Sequence, residues 1–453
     1  MSIVESDFDS FENLCRREAG DFFLPETPVW VARAPGRLDV MGGIADYSGS
    51  LVAEMPIEQA ALCAVQAGGV KDNTVIVRSG NAESEGLTSE VRLPAEVFIN
   101  PVSLLKFLRE SAPSLRWAGY IAGCFALLRA EGLIPRSTGG RFFLYSNVPL
   151  GAGVSSSAAV EVASMRALCA AFGVEMDGLS LARLCQRVEN DVMDAPCGIM
   201  DQVTSAFGES GKLLLLLCQP HQIQGNVTLP NGWSVFGIDS GVKHSVGGVA
   251  YTNTRVAAFM GFKILADSAG SGFGGHLCNI TPNVYQEISP NGLPETMAGS
   301  DFLSMHGGIY DSVTAVEPGE TYSVRAAAEH AIFENHRVRR FVENLRQASD
   351  AAFMEAGIHM AGAHKSYSAC GLGAPETDLL TELVAELPGV SGAKITGGGS
   401  GGTVCVLCRT EAEPDIVREL ATRYTDRTGI TPRLIRGTSP GALATPPRML
   451  SKR

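Results

Sequence analysis

The sequence predicts an α+β protein of two domains, and three observations carry that expectation. A chain of 453 residues exceeds what one hydrophobic core usually organises. Stretches with a strand-like period of two alternate with stretches of helical period. Three glycine-rich segments punctuate them: Ala34-Pro35-Gly36-Arg37, residues 149–157 and residues 396–402. The expected division is 1–225 and 226–453, with a cleft between the domains as the natural ligand site.

Residues 1–28 read as a helix or an extended lead-in, and 29–35 as a strand delivered into the first glycine turn. Further strands are expected at 60–67, 75–79 and 140–146, and helices at 101–111, 118–131, after Ser157 and across 180–190. In the last of these Leu181, Leu184, Cys185 and Val188 mark one apolar face. Strands at 212–218 and 233–239 bridge to the second half. Residues 247–320, rich in Gly, Pro, Asn and Ser, suggest an irregular surface insertion. Helical character returns at 322–352 and 376–387, and the chain ends in a terminal strand edge and a mobile tail.

Composition narrows the function. Hydrophobic residues make up 45% and charged residues 19%, the balance of a globular protein. A net charge of −12 works against sequence-independent binding to nucleic acid or to an anionic membrane, whereas a neutral or cation-complexed substrate is easily accommodated. The acidic opening residues 1–9 lack the basic start and apolar core of a secretory peptide, and no apolar run is long enough to span a bilayer. The 11 cysteines are scattered singly, as buried, reduced thiols of a cytoplasmic protein would be. Cys405 and Cys408 lie three apart in a strand-like run, so they point to opposite faces and are not expected to share a metal. His359 and His364, five apart on a helix, point different ways, and His330 and His336 read as surface or packing residues.

The glycine segments carry the chemistry. Glycine lets successive backbone N–H groups surround an anion, and residues 149–157 lead directly into a run of helix formers, where orphan N–H groups and the helix dipole favour phosphate. On their own, Ser155 and Ser156 would be N-caps, Asp201 a helix cap after Gly198, Arg37 a surface ion pair and Glu189 a solvent-facing helix residue.

Taken in order, the segments resemble the galactokinase branch of the GHMP kinase superfamily, with Asp46-Tyr47-Ser48-Gly49 completing the first motif and residues 197–202, Cys-Gly-Ile-Met-Asp-Gln, forming a fourth. The resemblance implies an N-terminal domain like ribosomal protein S5 domain 2 and a ferredoxin-like C-terminal domain, with ATP and sugar meeting in the cleft. It makes Asp201 the group that accepts or orients the proton of the attacking hydroxyl, and Arg37 the cation that stabilises the developing charge. Gly151, Ala152, Gly153, Val154, Ser155, Ser156 and Ser157, with Gly398 and Gly399, would hold ATP, and Ser157 and Glu189 would hold Mg²⁺.

For the sugar the resemblance implies Asp46, Gly198 and Tyr251, the last following His244-Ser245. Galactokinases usually carry Glu-His where this chain has Gly43 and Ile44, and that pair contacts the sugar's exocyclic hydroxymethyl group. A C6 hydroxyl buried against Ile44 without a partner would forfeit about 1 to 3 kcal/mol. L-arabinopyranose matches galactopyranose at the ring hydroxyls and lacks that group, and residues 36–52 also resemble the kinase domain of L-arabinokinases. The expectation is therefore a sugar 1-kinase acting on L-arabinose. D-galactose as substrate, or a non-catalytic sugar and ATP sensor, are the alternatives, and the sequence sets no oligomeric state.

Overall fold

The computed structural model describes residues 2–68, 73–243 and 248–451. Helix α1 (Ile3–Glu18) opens the chain, capped by the Ser2 side chain, and buries Phe8, Phe11 and Cys15. Strands β1 (Val29–Met41) and β2 (Leu51–Ala67) follow as a long antiparallel pair. The first glycine segment is therefore not a turn: β1 runs straight through it. A register shift between Pro35 and Arg37 absorbs the proline and the glycine as a bulge, which re-aims the Arg37 side chain without ending the strand.

Next come β3 (Val75–Ser79), β4 (Glu90–Leu93), α2 (Pro101–Glu110), α3 (Ala118–Ala130) and β5 (Gly140–Ser146). Helix α2 starts where Asn100 caps the Ser103 N–H and Pro101 takes the first helical position. Helices α4 (Ser156–Phe172), α5 (Gly178–Arg187) and α6 (Met200–Phe207) lead to the hairpin β6 (Lys212–Leu217) and β7 (Gln222–Thr228). The helix expected across 180–190 stops at Arg187 and passes into a π turn at Val188–Val192. Residue 225 lies inside β7, so the change of sheet comes later, at β8 (Trp233–Asp239).

The region expected to be an irregular insertion is largely helical. Helix α7 (Val249–Ala269) is followed by α8 (Pro282–Ile288), and a small hairpin of β9 (Met297–Ala298) and β10 (Thr321–Tyr322) brackets α9 (Gly299–His306). These elements share a core of their own, built on Phe262, Leu265, Tyr285, Phe302 and Tyr322. Glycine, proline and asparagine serve the links and caps between short helices.

The helix expected at 322–352 is two helices, α10 (Val324–Gln347) and α11 (Asp350–Ala369), because Ala348 turns left-handed and Ser349 caps the Ala352 N–H. The chain continues through α12 (Pro375–Ala385), β11 (Val390–Ile395), β12 (Thr403–Arg409), α13 (Glu413–Thr428), β13 (Arg433–Ile435) and β14 (Arg448–Met449).

Two main sheets result. The first has strand order β14-β1-β2-β5-β3-β4, with β6 and β7 extending from the far end of β2; the second has order β11-β12-β8-β13. The expected mobile tail is instead tied down, since Met449 and Arg448 pair with Trp30 and Val31 and Ser439 and Ala442 are buried. Cys405 and Cys408 point to opposite faces of their sheet, one into the central core and one into the core beneath α12 and α13.

Candidate active site

The three glycine segments meet backbone to backbone. The Arg37 N–H donates to the Val154 carbonyl at 3.1 Å, and a Cβ on Gly36 would lie 2.6 Å from that same oxygen. From the other domain, the Thr403 N–H donates to the Ala152 carbonyl at 2.9 Å, and a Cβ on Gly397 would lie 2.6 Å from the Gly153 carbonyl. Glycine is required at both positions because the approaching group is main chain and cannot swing away. Gly151, Gly153 and Ser155 all have positive φ, and Ser155 begins α4 without using its side chain as a cap. Its Oγ is buried with no hydrogen-bond partner among the described residues, so the segment presents an unsatisfied polar group at a helix N-terminus.

Arg37 sits at the convergence, fully buried. Its Nε and Nη2 donate to Asp201 Oδ1 at 2.9 and 2.6 Å, its Nη1 donates to the Gly153 carbonyl at 2.9 Å, and Glu54 Oε2 lies 3.1 Å from Nε. Burial alone would ease the proton off the guanidinium, but the charges of Asp201, Glu54 and Asp39 hold its pKa above the ordinary value. Asp201 stands in the first turn of α6 with its side chain 24% exposed, open to the cleft. Behind this pair, Lys394 donates to Asp39 Oδ2 at 2.7 Å, both side chains being wholly buried. Asp39 also accepts from the Gly43 and Gly397 N–H groups, at 3.0 and 3.3 Å, so it joins the two domains at the cleft floor.

Asp46 is buried beside Asp201, accepts from the Tyr47 N–H at 2.8 Å, and leaves room for nothing but hydrogen at Gly198, where a Cβ would lie 1.8 Å from its Oδ2. Burial, and secondarily the Asp201 charge, push its carboxyl up to about 7. Gly43, Ile44, Gly198 and Tyr251 line the same cavity, whose volume is about 430 Å³. Tyr251 comes from α7, and one turn on Arg255 pairs with Asp311 through two bonds of 2.7 Å while donating to the Pro196 carbonyl at 2.9 Å. The region once expected to be irregular therefore braces this wall of the cavity. His244 and Ser245, expected just before Tyr251, lie outside the described residues.

Sequence comparison gives the same grouping of segments. The model of the GHMP kinases N terminal domain matches residues 119–209, that of the GHMP kinases C terminal domain residues 353–426, and the galactokinase galactose-binding signature residues 21–67. The chain thus carries both GHMP kinase domains. It is 40% identical to an L-arabinokinase of Arabidopsis thaliana over 94% of its own length, and spans 47% of that relative. It is 28% identical to a galactokinase of Chloroflexus aggregans, over 90% of this chain and 91% of that one. Among solved structures, a Lactococcus lactis galactokinase complexed with galactose superposes with a TM-score of 0.73 at 20% identity, covering 95% of this chain and 99% of that one, which shows the shared fold.

The residues expected at the Mg²⁺ site suit such an ion. Ser157, in the first turn of α4, is hydrogen-bonded to the buried carboxyl of Glu189 in the π turn. Burial pushes that carboxyl up to about 7, the Ser157 bond working against it, so the group gains from a cation. Among the described residues no cluster of three or more His, Cys, Asp or Glu side chains could hold a metal alone. Two hard oxygens fit an ion that takes its remaining ligands from phosphate and water.

The cavity gathers Gly151, Gly153, Val154, Ser155, Ser156, Ser157, Glu189 and Gly398 with Arg37 and Asp201, whereas Ala152 and Gly399 are absent from its lining. Ala152 is core, and a Cβ on Gly399 would strike the Leu372 carbonyl at 2.6 Å, so both serve packing. The sequence did not point to the bay beyond the glycine segment 149–157, formed by Ser79, Asn81, Glu85, Leu87, Trp117 and Tyr120. Those residues come from a strand end, loops and the first turn of α3 with no local motif, and Trp117, whose indole donates to the Thr88 carbonyl at 2.9 Å, is their strongest local signal.

Proposed function

We propose that this protein is a cytoplasmic, ATP-dependent sugar 1-kinase that phosphorylates the anomeric hydroxyl of a galactose-configured monosaccharide, with L-arabinose as the preferred acceptor. The observation that carries the reading is the buried Arg37 gripping one oxygen of Asp201 where all three glycine segments converge. Because both bonds go to Oδ1, the second carboxylate oxygen is left to orient the sugar hydroxyl and take its proton. The sugar oxygen then forms its bond to the γ-phosphorus as the bond to the ADP oxygen breaks, with Arg37 and the N–H groups at the start of α4 offsetting the charge. Mg²⁺, held by Ser157 and Glu189, would supply charge neutralisation on the phosphates.

Asp46 and Tyr251 are proposed to hold the sugar ring, and Gly43 and Ile44 to face its C6 end with no polar partner. A missing hydrogen bond of about 1 to 3 kcal/mol corresponds to roughly 5- to 150-fold in favour of a pentose. The 11 buried free thiols support a reducing compartment, and among the described residues no helix is long and apolar enough to cross a membrane. The intact Arg37–Asp201 pair argues against a sensor that binds without turnover. A panel of sugars with ATP and Mg²⁺, read as sugar 1-phosphate and ADP formed, tests the proposal. L-arabinose should give the higher kcat/KM; turnover of no sugar would sink it, and preference for D-galactose would move the substrate assignment.

A further inference from the structure

Gly43 and Tyr367 occupy one space. Gly43 has φ +45°, and a Cβ on it would lie 1.7 Å from the Tyr367 hydroxyl oxygen and 2.6 Å from Cζ. Tyr367 reaches this point from α11, fully buried, with its ring edge-on to His330 at 5.1 Å and the Lys394 ammonium 5.5 Å from the ring centre. Its hydroxyl accepts from the Ile44 N–H at 3.0 Å and donates to the Gly397 carbonyl at 2.9 Å. A phenol has one proton to give, and here it is committed to the glycine segment of the other domain. The remaining neighbour is the Asp39 carboxylate, 3.5 Å away, another acceptor.

We propose that Tyr367 is a positioning residue that sets sugar selectivity at the Gly43–Ile44 end of the cleft. It excludes any side chain at position 43, holds Ile44 forward as an apolar wall, and has no donor left for an exocyclic hydroxyl. The proposal rests on the sugar-kinase reading and deepens it. Changing residues 43 and 44 cannot by itself build a polar hexose pocket, because Tyr367 stands where the new side chain must go.

The test compares kcat/KM for L-arabinose and D-galactose, with ATP and Mg²⁺, in four full-length proteins. These are the wild type, the pair Gly43→Glu with Ile44→His, the same pair with Tyr367→Ala, and Tyr367→Phe alone. The pair should lose at least 100-fold on both sugars. Adding Tyr367→Ala should recover at least tenfold of that loss and shift the ratio at least tenfold toward galactose relative to wild type. Tyr367→Phe keeps the ring but frees the Ile44 N–H, and should move the ratio at least threefold toward galactose with the melting temperature little changed. An unmoved ratio in an active Tyr367→Phe protein would overturn the proposal even if the triple variant did not fold. So would a pair variant that gains galactose use without any change at 367. A wild type inactive on both sugars would instead remove the functional reading, and this inference with it.

Discussion

Asp201→Asn separates chemistry from architecture at this site. The substitution removes the proposed proton acceptor and one negative charge but keeps an oxygen able to accept from Arg37. The guanidinium is not stranded, because Glu54 at 3.1 Å and the Gly153 carbonyl at 2.9 Å remain around it. Asp201 is also partly open to solvent, so the stability cost should be no more than about 1 to 2 kcal/mol, below the 3 to 5 typical of a charge left buried alone. Loss of a positioned general base removes about 10² to 10⁴ in rate. The expected result is thus a folded protein whose kcat falls by about 10² to 10⁴ while KM for ATP changes by less than about threefold. Coupled ADP release measures kcat, and thermal melting with and without ATP reports folding and nucleotide binding. Turnover within tenfold of wild type would refute the role given to Asp201, whatever the state of the remaining site.

Gly36→Ala should push the Val154 carbonyl out of place, because the new methyl meets it at 2.6 Å and has Val148 and Ile57 side chains at 2.9 and 3.0 Å on its other sides. Overpacking of about 1 to 3 kcal/mol, with a raised KM for ATP, is expected from melting and steady-state kinetics. Burial and then the Asp39 charge push the Glu54 carboxyl well above its ordinary range, so Glu54→Gln should cost little in melting temperature; a large loss would show that the carboxylate is ionised. For Asp46 the folded pKa of about 7 stands above the unfolded 3.8. Its contribution to stability is therefore fully present below pH 3.8 and lost as pH rises toward 7. In ligand-free protein, melting temperatures from pH 5 to 8 should show a decline that Asp46→Asn lacks; the opposite slope would contradict the burial argument.

What the sequence made legible follows from the range of the interaction involved. Strands at Val75–Ser79, Gly140–Ser146 and Trp233–Asp239 were readable because residue type and flanking turns are local signals. Helix α7 was not, since it buries residues on most of its sides and has no single apolar stripe, while its neighbours are rich in glycine. At the site, motif residues could be named one by one, but their partners could not. Nothing local to Lys394 or Tyr367 announces that one neutralises Asp39 and the other fills the space above Gly43. The bulge at Pro35 was missed for a related reason: the residues that suggest a turn also fit a strand whose partner supplies the register shift.

On the proposed function, the buried charges beneath the cleft explain how Arg37 would face a phosphoryl group. Two cations, Arg37 and Lys394, stand among three acids, Asp39, Glu54 and Asp201. If all three acids were ionised, the floor of a site proposed to receive ATP would be net negative. Burial resists ionisation of Asp39, yet Lys394 and Arg37 overcome it and hold that carboxyl low, whereas at Glu54 burial and the Asp39 charge outweigh the same two cations and push it well up. Burial and the acidic neighbours thus resist charge on Glu54, Lys394 neutralises Asp39, and the Arg37 charge faces Asp201. In the proposed reaction Asp201 loses its charge as it takes the proton of the sugar hydroxyl, and the guanidinium is freed to answer the charge developing on the transferring group. The buried lysine, remote in sequence from the motifs, thereby lets one arginine serve both the resting site and the reaction.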